Sequence, residues 1–223
     1  MKVLGFDTST AATSVCVIAE DGEAFERWPE PDALSSAPAH ARELMPRIDA
    51  VMREARLSFG DLEAIAVGVG PGTFTGLRIG VATARALAAS RGAELRPVSS
   101  LAALAAGIDA DLKLPLLDAK RGEVFAALYE GEERLWEPFA ASAEEVAGRV
   151  REAGLSPLAA GDGSLRFQGV LEADGIRTEP EGSRAHVVRA LNVCQLAADV
   201  PPTSPEAVLP EYLRLPDATP RAT

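Results

Sequence analysis

A glycine-rich stretch in the first half of the chain constrains the fold more than any other feature. Residues 68–80 read Gly-Val-Gly-Pro-Gly-Thr-Phe-Thr-Gly-Leu-Arg-Ile-Gly and follow an apolar run over residues 64–69. That run has the length and β-branched content of a buried strand, and a long alanine-rich segment follows the glycines, so the pattern predicts strand, tight loop and helix. Thr73 or Thr75 can cap the helix start. The loop suits either an anion or close packing of the helix on a sheet.

Two phosphate-binding motifs do not fit this loop. A Walker loop needs Lys followed by Ser or Thr after its last glycine, whereas Gly76 is followed by Leu77 and Arg78. The dinucleotide motif fails because Thr75 occupies the sixth position counted from Gly70, and no acidic residue follows at the required distance. The spacing therefore favours a structural turn, with a generic anion-friendly helix start as the alternative.

Composition narrows the functional class. A chain of 223 residues with 47% hydrophobic and 25% charged residues can bury a large core, as one domain or two lobes. The formal net charge of −11 argues against a basic track for RNA. No run reaches membrane-spanning length and no signal-peptide pattern is present, which predicts a cytoplasmic protein without membrane contact. Cys16 and Cys194 are more consistent with core residues than with a disulfide.

The order of predicted elements repeats along the chain. The first half has strands at 2–7, 13–19 and 23–28, a helix at 39–55, a strand at 64–69, a helix at 76–90, a strand at 94–98 and a short helix after Ser99. The second has strands at 114–118, 123–129 and 134–136, a helix at 143–153, a strand at 157–160, a glycine loop, and helical segments at 165–173 and 184–199. The repeat predicts an α/β protein with lobes 1–106 and 107–223 and a flexible tail from about residue 217.

Four segments together resemble the TsaB (YeaZ) family over nearly the whole chain. They are Asp7-Thr8-Ser9, the loop at 70–78, Asp118-Ala119-Lys120-Arg121-Gly122-Glu123 and Pro210-Glu211-Tyr212-Leu213-Arg214. The resemblance implies the actin-like and Hsp70-like ATPase (ASKHA) fold, with two lobes of duplicated βββαβα topology.

The same resemblance implies a non-catalytic scaffold subunit of the bacterial tRNA threonylcarbamoyladenosine (t6A) complex. Its expected partners are the catalytic subunit TsaD and the ATPase TsaE, with a homodimer in isolation and tRNA contacted only through the complex. That complex transfers threonylcarbamoyl from threonylcarbamoyl-AMP to N6 of adenosine 37 in tRNAs that read ANN codons.

Nucleotide binding is expected to be weak or absent. In the actin-like fold, a turn that follows an aspartate in each half of the chain binds the nucleotide phosphates. The first such turn here, Asp7-Thr8-Ser9, is compatible with phosphate binding. Bulky Lys120 and Arg121 stand in the second turn where open backbone is needed. Gly161 and Gly163 suit either a remnant adenosine loop or a plain turn. We expect no cofactor, with weak ATP or ADP binding at a subunit boundary as the alternative, at Asp7, Thr8, Ser9, Asp118, Gly161 and Gly163.

The sequence contains few residues in patterns that are typical of a catalytic site. The catalytic relative carries an HxxxH metal pair on the equivalent helix, but here Leu44 stands four residues after His40, so we expect no metal. His186 is interpreted as a solvated or capping residue, and no nucleophile has an evident base beside it. The rival functions are an actin-like ATP-dependent phosphotransferase, which Lys120 and Arg121 disfavour, and a metallopeptidase, which Leu44 disfavours.

Two helices supply candidate partner surfaces. The helix after the glycine loop has small residues on two faces, and either face can pack on its own sheet or on a partner helix. The predicted interface consists of Leu44, Met45, Ile48, Val51 and Met52 of the first helix with Gly76, Ile79, Gly80, Ala82, Thr83, Ala86 and Ala89 of the second.

Overall fold

The computed structural model describes residues 1–213, and the predicted flexible tail from about residue 217 lies outside that part. The first half contains β1 (Val3–Asp7), β2 (Ser14–Ile18), β3 (Ala24–Arg27), α1 (His40–Glu54), β4 (Ala64–Gly70), α2 (Phe74–Arg91), β5 (Glu94–Ser99) and α3 (Ser100–Ala105). The second contains β6 (Leu112–Lys120), β7 (Glu123–Glu130), β8 (Glu133–Ser142), α4 (Ala143–Glu152), β9 (Leu158–Ala160), α5 (Asp162–Arg166), α6 (Gln168–Ala173), β10 (Arg177–Thr178) and α7 (Ala190–Leu196). Short 3₁₀ helices cover Pro31–Ser35, Phe59–Asp61 and Arg184–His186.

The two halves form two sheets of matching topology. The first sheet has the order β3-β2-β1-β4-β5, and the second has β10-β9-β6-β7-β8, which is the same order read from the other edge. In both, the first strand pairs antiparallel with the second and parallel with the strand after the helix. The predicted duplicated topology is therefore confirmed.

Alternating side chains of the first sheet enter two different cores. Leu4, Phe6 and Val67 face the helices α1 and α2, while Val3 and Ala66 face α3 and α7. This alternation follows from the two-residue period of a strand, since both faces of the sheet are covered by helices.

The layers are stacked as α1 and α2, the first sheet, α3 and α7, the second sheet, and α4 with α6. Leu117, Phe125 and Ala127 of the second sheet belong to the same cluster as α3 and α7. Helix α7 comes from the second half of the chain but packs on the first sheet, where the Cys194 thiol lies over Gly5. The lobe boundary between residues 106 and 107 stays a prediction. Helix α7 lies after this boundary in the sequence but packs on the first sheet.

Several element boundaries differ from the sequence prediction. Strand β8 runs to Ser142, well beyond residue 136. The predicted helix at 165–173 is divided at Phe167, and the one at 184–199 is divided by extended residues around Val187. The capping box of Ser142 and Glu145 is confirmed, because each side chain receives the other residue's backbone N–H at 3.2 and 2.9 Å. Within residues 1–213 no helix has the length and apolar character needed to cross a bilayer.

Candidate functional site

The glycine loop packs α2 directly onto the first aspartate turn. The Thr73 N–H donates to the Ser9 carbonyl at 2.7 Å, and the Thr8 hydroxyl donates to the Gly76 carbonyl at 2.8 Å. A Cβ added at Gly72 would lie 2.5 Å from the Ser9 carbonyl oxygen, and one at Gly76 or Gly80 would overlap Thr8. The glycines therefore permit close packing, as the motif spacing favoured, and Thr73 is the N-cap residue without a side-chain capping bond.

The first aspartate turn is closed by its own neighbours. Asp7 is buried, and its carboxylate accepts hydrogen bonds from the Ser9 N–H at 2.8 Å and from the Ser9 and Ser100 hydroxyls at 2.6 and 2.7 Å. Burial raises the pKa of Asp7, and these hydrogen bonds only partly oppose the shift. Thr8 and Ser9 are also buried, so the three residues predicted to hold phosphate are internal in this conformation.

The second aspartate turn is neutralised by basic side chains. Asp118 accepts from the Lys120 N–H and ammonium at 2.8 and 2.7 Å and pairs with Arg166 at 2.9 Å. Burial alone would raise the pKa of Asp118, but the Lys120 and Arg166 interactions outweigh it and the pKa is lowered. Lys120 and Arg121 both have positive φ, 63° and 55°, which makes the turn tight without glycine at these positions.

A third turn, at Gly161 and Gly163, is built against β6. A Cβ at Gly163 would lie 3.0 Å from the Leu116 backbone, and Gly161 has a φ of 115°, which only glycine adopts readily. The Asp162 carboxylate accepts the Asp118 N–H at 2.9 Å, so the second and third turns are joined directly. Desolvation, with the nearby Asp118 charge, raises the pKa of Asp162 to about 6.

His186 was interpreted from the sequence as solvated or capping, and this is wrong. Its side chain is completely buried, its Nδ1 accepts the Gly161 N–H at 3.1 Å, and its Nε2 lies 3.0 Å from the Pro180 carbonyl oxygen. With Nδ1 accepting the Gly161 N–H, Nε2 carries the proton and donates to the Pro180 carbonyl. His186 therefore holds the third turn in place, a role that cannot be predicted from a single histidine in the sequence.

His40 is also buried, at the start of α1. Its Nδ1 lies 2.8 Å from the Thr13 hydroxyl, and its Nε2 has no hydrogen-bond partner among the described residues. Burial lowers the pKa of His40, against the charge of Asp7, which raises it. Residues 1–213 contain no group of three or more His, Cys, Asp and Glu side chains that are close enough to share a metal ion.

Two cavities lie beside the second aspartate turn. One, of about 710 Å³, is bordered by the start of α1, the glycine loop, the β6–β7 turn and residues 211–213. The other, of about 770 Å³, lies between residues 30–35 and the start of α5. Asp118 and Lys120 border both cavities.

The predicted interface on α1 needs a correction. Leu44, Ile48, Val51 and Met52 are at most 3% exposed and pack on the first sheet, so they form the core of their own lobe. The amphipathic pattern of α1 marks its inner face. Of the α1 residues predicted at the interface, Met45 alone is exposed, at 45%.

Helix α2 divides into two faces. Gly76 and Gly80 are buried with Ala84 and Ala88, so these two glycines are also corrected from partner contacts to internal packing. The remaining α2 residues predicted at the interface are exposed or half-buried: Ile79, Ala82, Thr83, Ala86 and Ala89. Their role in binding a partner stays a prediction.

An aromatic cluster, absent from the sequence prediction, adjoins the exposed face. The Phe74 and Tyr212 rings lie 5.4 Å apart, and the Arg78 guanidinium lies 3.7 Å above the Phe74 ring. Arg78 also donates from Nε to the Tyr212 hydroxyl at 3.2 Å. Phe74 and Tyr212 remain 41% and 38% exposed. Arg78 and Tyr212 are 134 residues apart, so no local pattern in the sequence predicts the cluster.

Comparison with known sequences identifies relatives along the whole chain. The sequence model of the family described as TsaD, tRNA N6-adenosine threonylcarbamoyltransferase, matches residues 34–158. An uncharacterized protein of Mycobacterium tuberculosis is 32% identical over 99% of this chain and 95% of that protein. The tRNA threonylcarbamoyladenosine biosynthesis protein TsaB of Bacillus subtilis is 29% identical over 98% of this chain and 96% of its own length. The chain spans only 40% of a longer uncharacterized Mycobacterium leprae protein with 37% identity.

Solved structures agree with these relatives. YeaZ from Pseudomonas aeruginosa superposes with a TM-score of 0.77 at 27% identity, over 95% of this chain and all of that chain. The two matching sheets and their intervening helices are the actin-like ATPase fold. This chain therefore belongs to the TsaB (YeaZ) family of tRNA threonylcarbamoyladenosine biosynthesis proteins.

Proposed function

We propose that this protein is a non-catalytic scaffold subunit of a cytoplasmic tRNA threonylcarbamoyltransferase complex. In this proposal it pairs with a TsaD-type catalytic subunit and works with the ATPase TsaE. The complex transfers threonylcarbamoyl from threonylcarbamoyl-AMP to N6 of adenosine 37 in tRNAs that read ANN codons. The isolated chain pairs with a second copy of itself through the same surface, and tRNA is contacted only through the complex.

The observation that carries this proposal is the two-faced packing of α2. One face is buried on the first aspartate turn and the first sheet, while Ala82, Ala86 and Ala89 on the other face are exposed. Small side chains on an exposed helix face allow a second helix to approach closely. The family model named for TsaD matches residues 34–158, which include α1 and α2, so a TsaD-type partner has a related pair of helices to offer.

The three turns where an actin-like ATPase binds nucleotide support a non-catalytic role. The Asp7 carboxylate accepts hydrogen bonds from Ser9 and Ser100. The Asp118 carboxylate forms ion pairs with Lys120 and Arg166, and the Gly161 N–H donates to the buried His186. A phosphotransferase needs carboxylates and open backbone that are available to Mg²⁺ and phosphates. Weak ATP or ADP binding at a subunit boundary remains a prediction that equilibrium dialysis can test.

The test is reconstituted transfer. The cognate TsaD and TsaE are supplied with preformed threonylcarbamoyl-AMP and tRNA, with and without this chain, and t6A is quantified by mass spectrometry of nucleosides. We expect transfer to depend on this chain. Transfer at the same rate without the chain would refute the scaffold role, and ATP-dependent phosphotransfer by the chain alone would establish the rival function.

A further inference from the structure

The exposed face of α2 carries only positive charge. Between Phe74 and Arg91 the helix contains three arginines, Arg78, Arg85 and Arg91, and no acidic residue, in a chain whose net charge is −11. Arg78 and Arg85 are seven residues apart, so they lie on the same side of the helix about 10 Å from each other. Arg91 points about 140° away from Arg78, which places it outside this face.

Helix α1 adds one more positive charge to this surface. Its acidic residues are paired: Glu43 with Arg47 at 2.9 Å, Asp49 with Arg53, and Glu54 with Arg27. Arg42 has no ion pair within the described residues, and it borders the same cavity as Phe74. We define the cationic face as Arg42, Phe74, Arg78, Ala82, Arg85 and Ala86.

Two acidic residues border the cavity beside this face. Asp118, which borders the cavity beside Arg42, is bound by Lys120 and Arg166. Glu211 also borders the cavity and is half-buried, so it places one carboxylate beside the three arginines. The face therefore combines three arginines with an exposed aromatic ring and alanines.

We propose that the partner surface that binds the cationic face is acidic around an apolar centre, so that charge favours the heterologous complex over the homodimer. This inference rests on the proposed function. A twofold homodimer through this face would bring six arginines together within distances comparable to the Debye length, about 8–10 Å at physiological salt. An acidic partner surface would instead give attractive contacts at the same positions.

A protein partner fits this face better than RNA does. Exposed alanines and an aromatic ring between the arginines are typical of a protein interface, where aromatic residues and arginine supply much of the binding energy. RNA binding rests on many neutralised phosphates, and a face with three arginines in a chain of charge −11 supplies few of them.

The test compares self-association with binding to the TsaD-type subunit in 0.05 and 0.5 M NaCl. Analytical ultracentrifugation gives the homodimer constant, and isothermal titration calorimetry gives the heterologous one. Salt should weaken the heterologous complex and strengthen the homodimer, because it screens attraction in one and repulsion in the other. The variant with Arg42→Gln, Arg78→Gln and Arg85→Gln should weaken the heterologous complex by about 3- to 100-fold, from three exposed ion pairs. The homodimer of this variant should tighten by about twofold or more.

Arg91→Gln is the matched control, because it removes the same charge from the same helix on another side, and it should change neither constant. Salt-insensitive heterologous binding, or weakening of both complexes by the triple variant, would overturn the charge inference. Binding of tRNA to the isolated chain that is lost in the triple variant would also overturn it and assign the face to RNA. If no heterologous complex forms at either salt concentration, the proposed function itself fails.

Discussion

Gly68→Ala should destabilise the protein strongly, because Gly68 provides the space for the Asp7 carboxylate. An added Cβ would overlap Asp7 Oδ2, lie 2.8 Å from its Cγ and lie 3.0 Å from the Ser100 hydroxyl. All of these groups are buried, so neither side chain can move into solvent. The substitution must shift a strand or break the hydrogen bond between Asp7 and Ser100.

The magnitude follows from these two effects. Overpacking a tight interior costs about 1–3 kcal/mol. Losing a buried hydrogen bond to a carboxyl group costs about 1.5–3 kcal/mol. Either effect alone costs about 1–3 kcal/mol and both together cost about 2.5–6 kcal/mol, which is a large part of the 5–15 kcal/mol typical of a folded domain.

Urea unfolding monitored by far-UV circular dichroism gives the free energy of unfolding of the wild-type and Gly68→Ala proteins. Gly148→Ala in α4 is the matched control, because its Cβ meets nothing closer than Arg151 at 3.8 Å. It should leave stability unchanged or raise it by up to about 1 kcal/mol, since alanine is the better helix former. A Gly68→Ala protein within about 0.5 kcal/mol of wild type would refute the closed aspartate turn.

Two further predictions concern the second half of the chain. Asp162 has a folded pKa of about 6, above its unfolded value, so the wild-type free energy of unfolding should fall as pH rises from about 4 to about 6. Asp162→Asn keeps an acceptor for the Asp118 N–H and should reduce this fall, while Asp7, whose pKa is also raised, still contributes to it. The variant should be about 1–2 kcal/mol more stable than wild type at pH 7 after allowance for partial exposure. Equal slopes in urea unfolding of the two proteins at pH 4, 5, 6 and 7 would contradict the assignment. His186→Ala should cost about 2–4 kcal/mol, because it opens a cavity and leaves the Gly161 N–H unpaired, and an unchanged thermal midpoint would show that the third turn does not need the imidazole.

Local signals in the sequence predicted the parts of the fold that local physics determines. The strand, glycine loop and α2 follow from the spacing at residues 64–80, and the start of α4 follows from the capping box of Ser142 and Glu145. The repeated order of elements predicted two sheets of equal topology. These signals depend on neighbours within a few residues, so they are readable without the structure.

The missed features depend on contacts between distant residues. The apolar face of α1 is visible in the sequence, but periodicity does not say whether Leu44 packs on its own sheet or on a partner. His186 is buried because Gly161 and Pro180 close around it, and the contact between Tyr212 and Phe74 joins residues from different halves of the chain. Strand β8 continues past the predicted end at residue 136 although Pro138, a residue type that ordinarily signals the end of a strand, lies inside it.

The central claim is that the exposed face of α2 binds the catalytic subunit, and the most direct test places bulky side chains in the apolar centre of that face. Ala82→Arg with Ala86→Arg puts two bulky cations on exposed helix positions without touching the core, so the fold should be retained. Ala173→Arg with Ala207→Arg, at exposed positions elsewhere, is the control. In reconstituted threonylcarbamoyl transfer we expect the α2 double variant to lose most of its ability to support t6A formation while the control supports it as wild type does. A correctly folded α2 double variant with wild-type transfer would contradict the account.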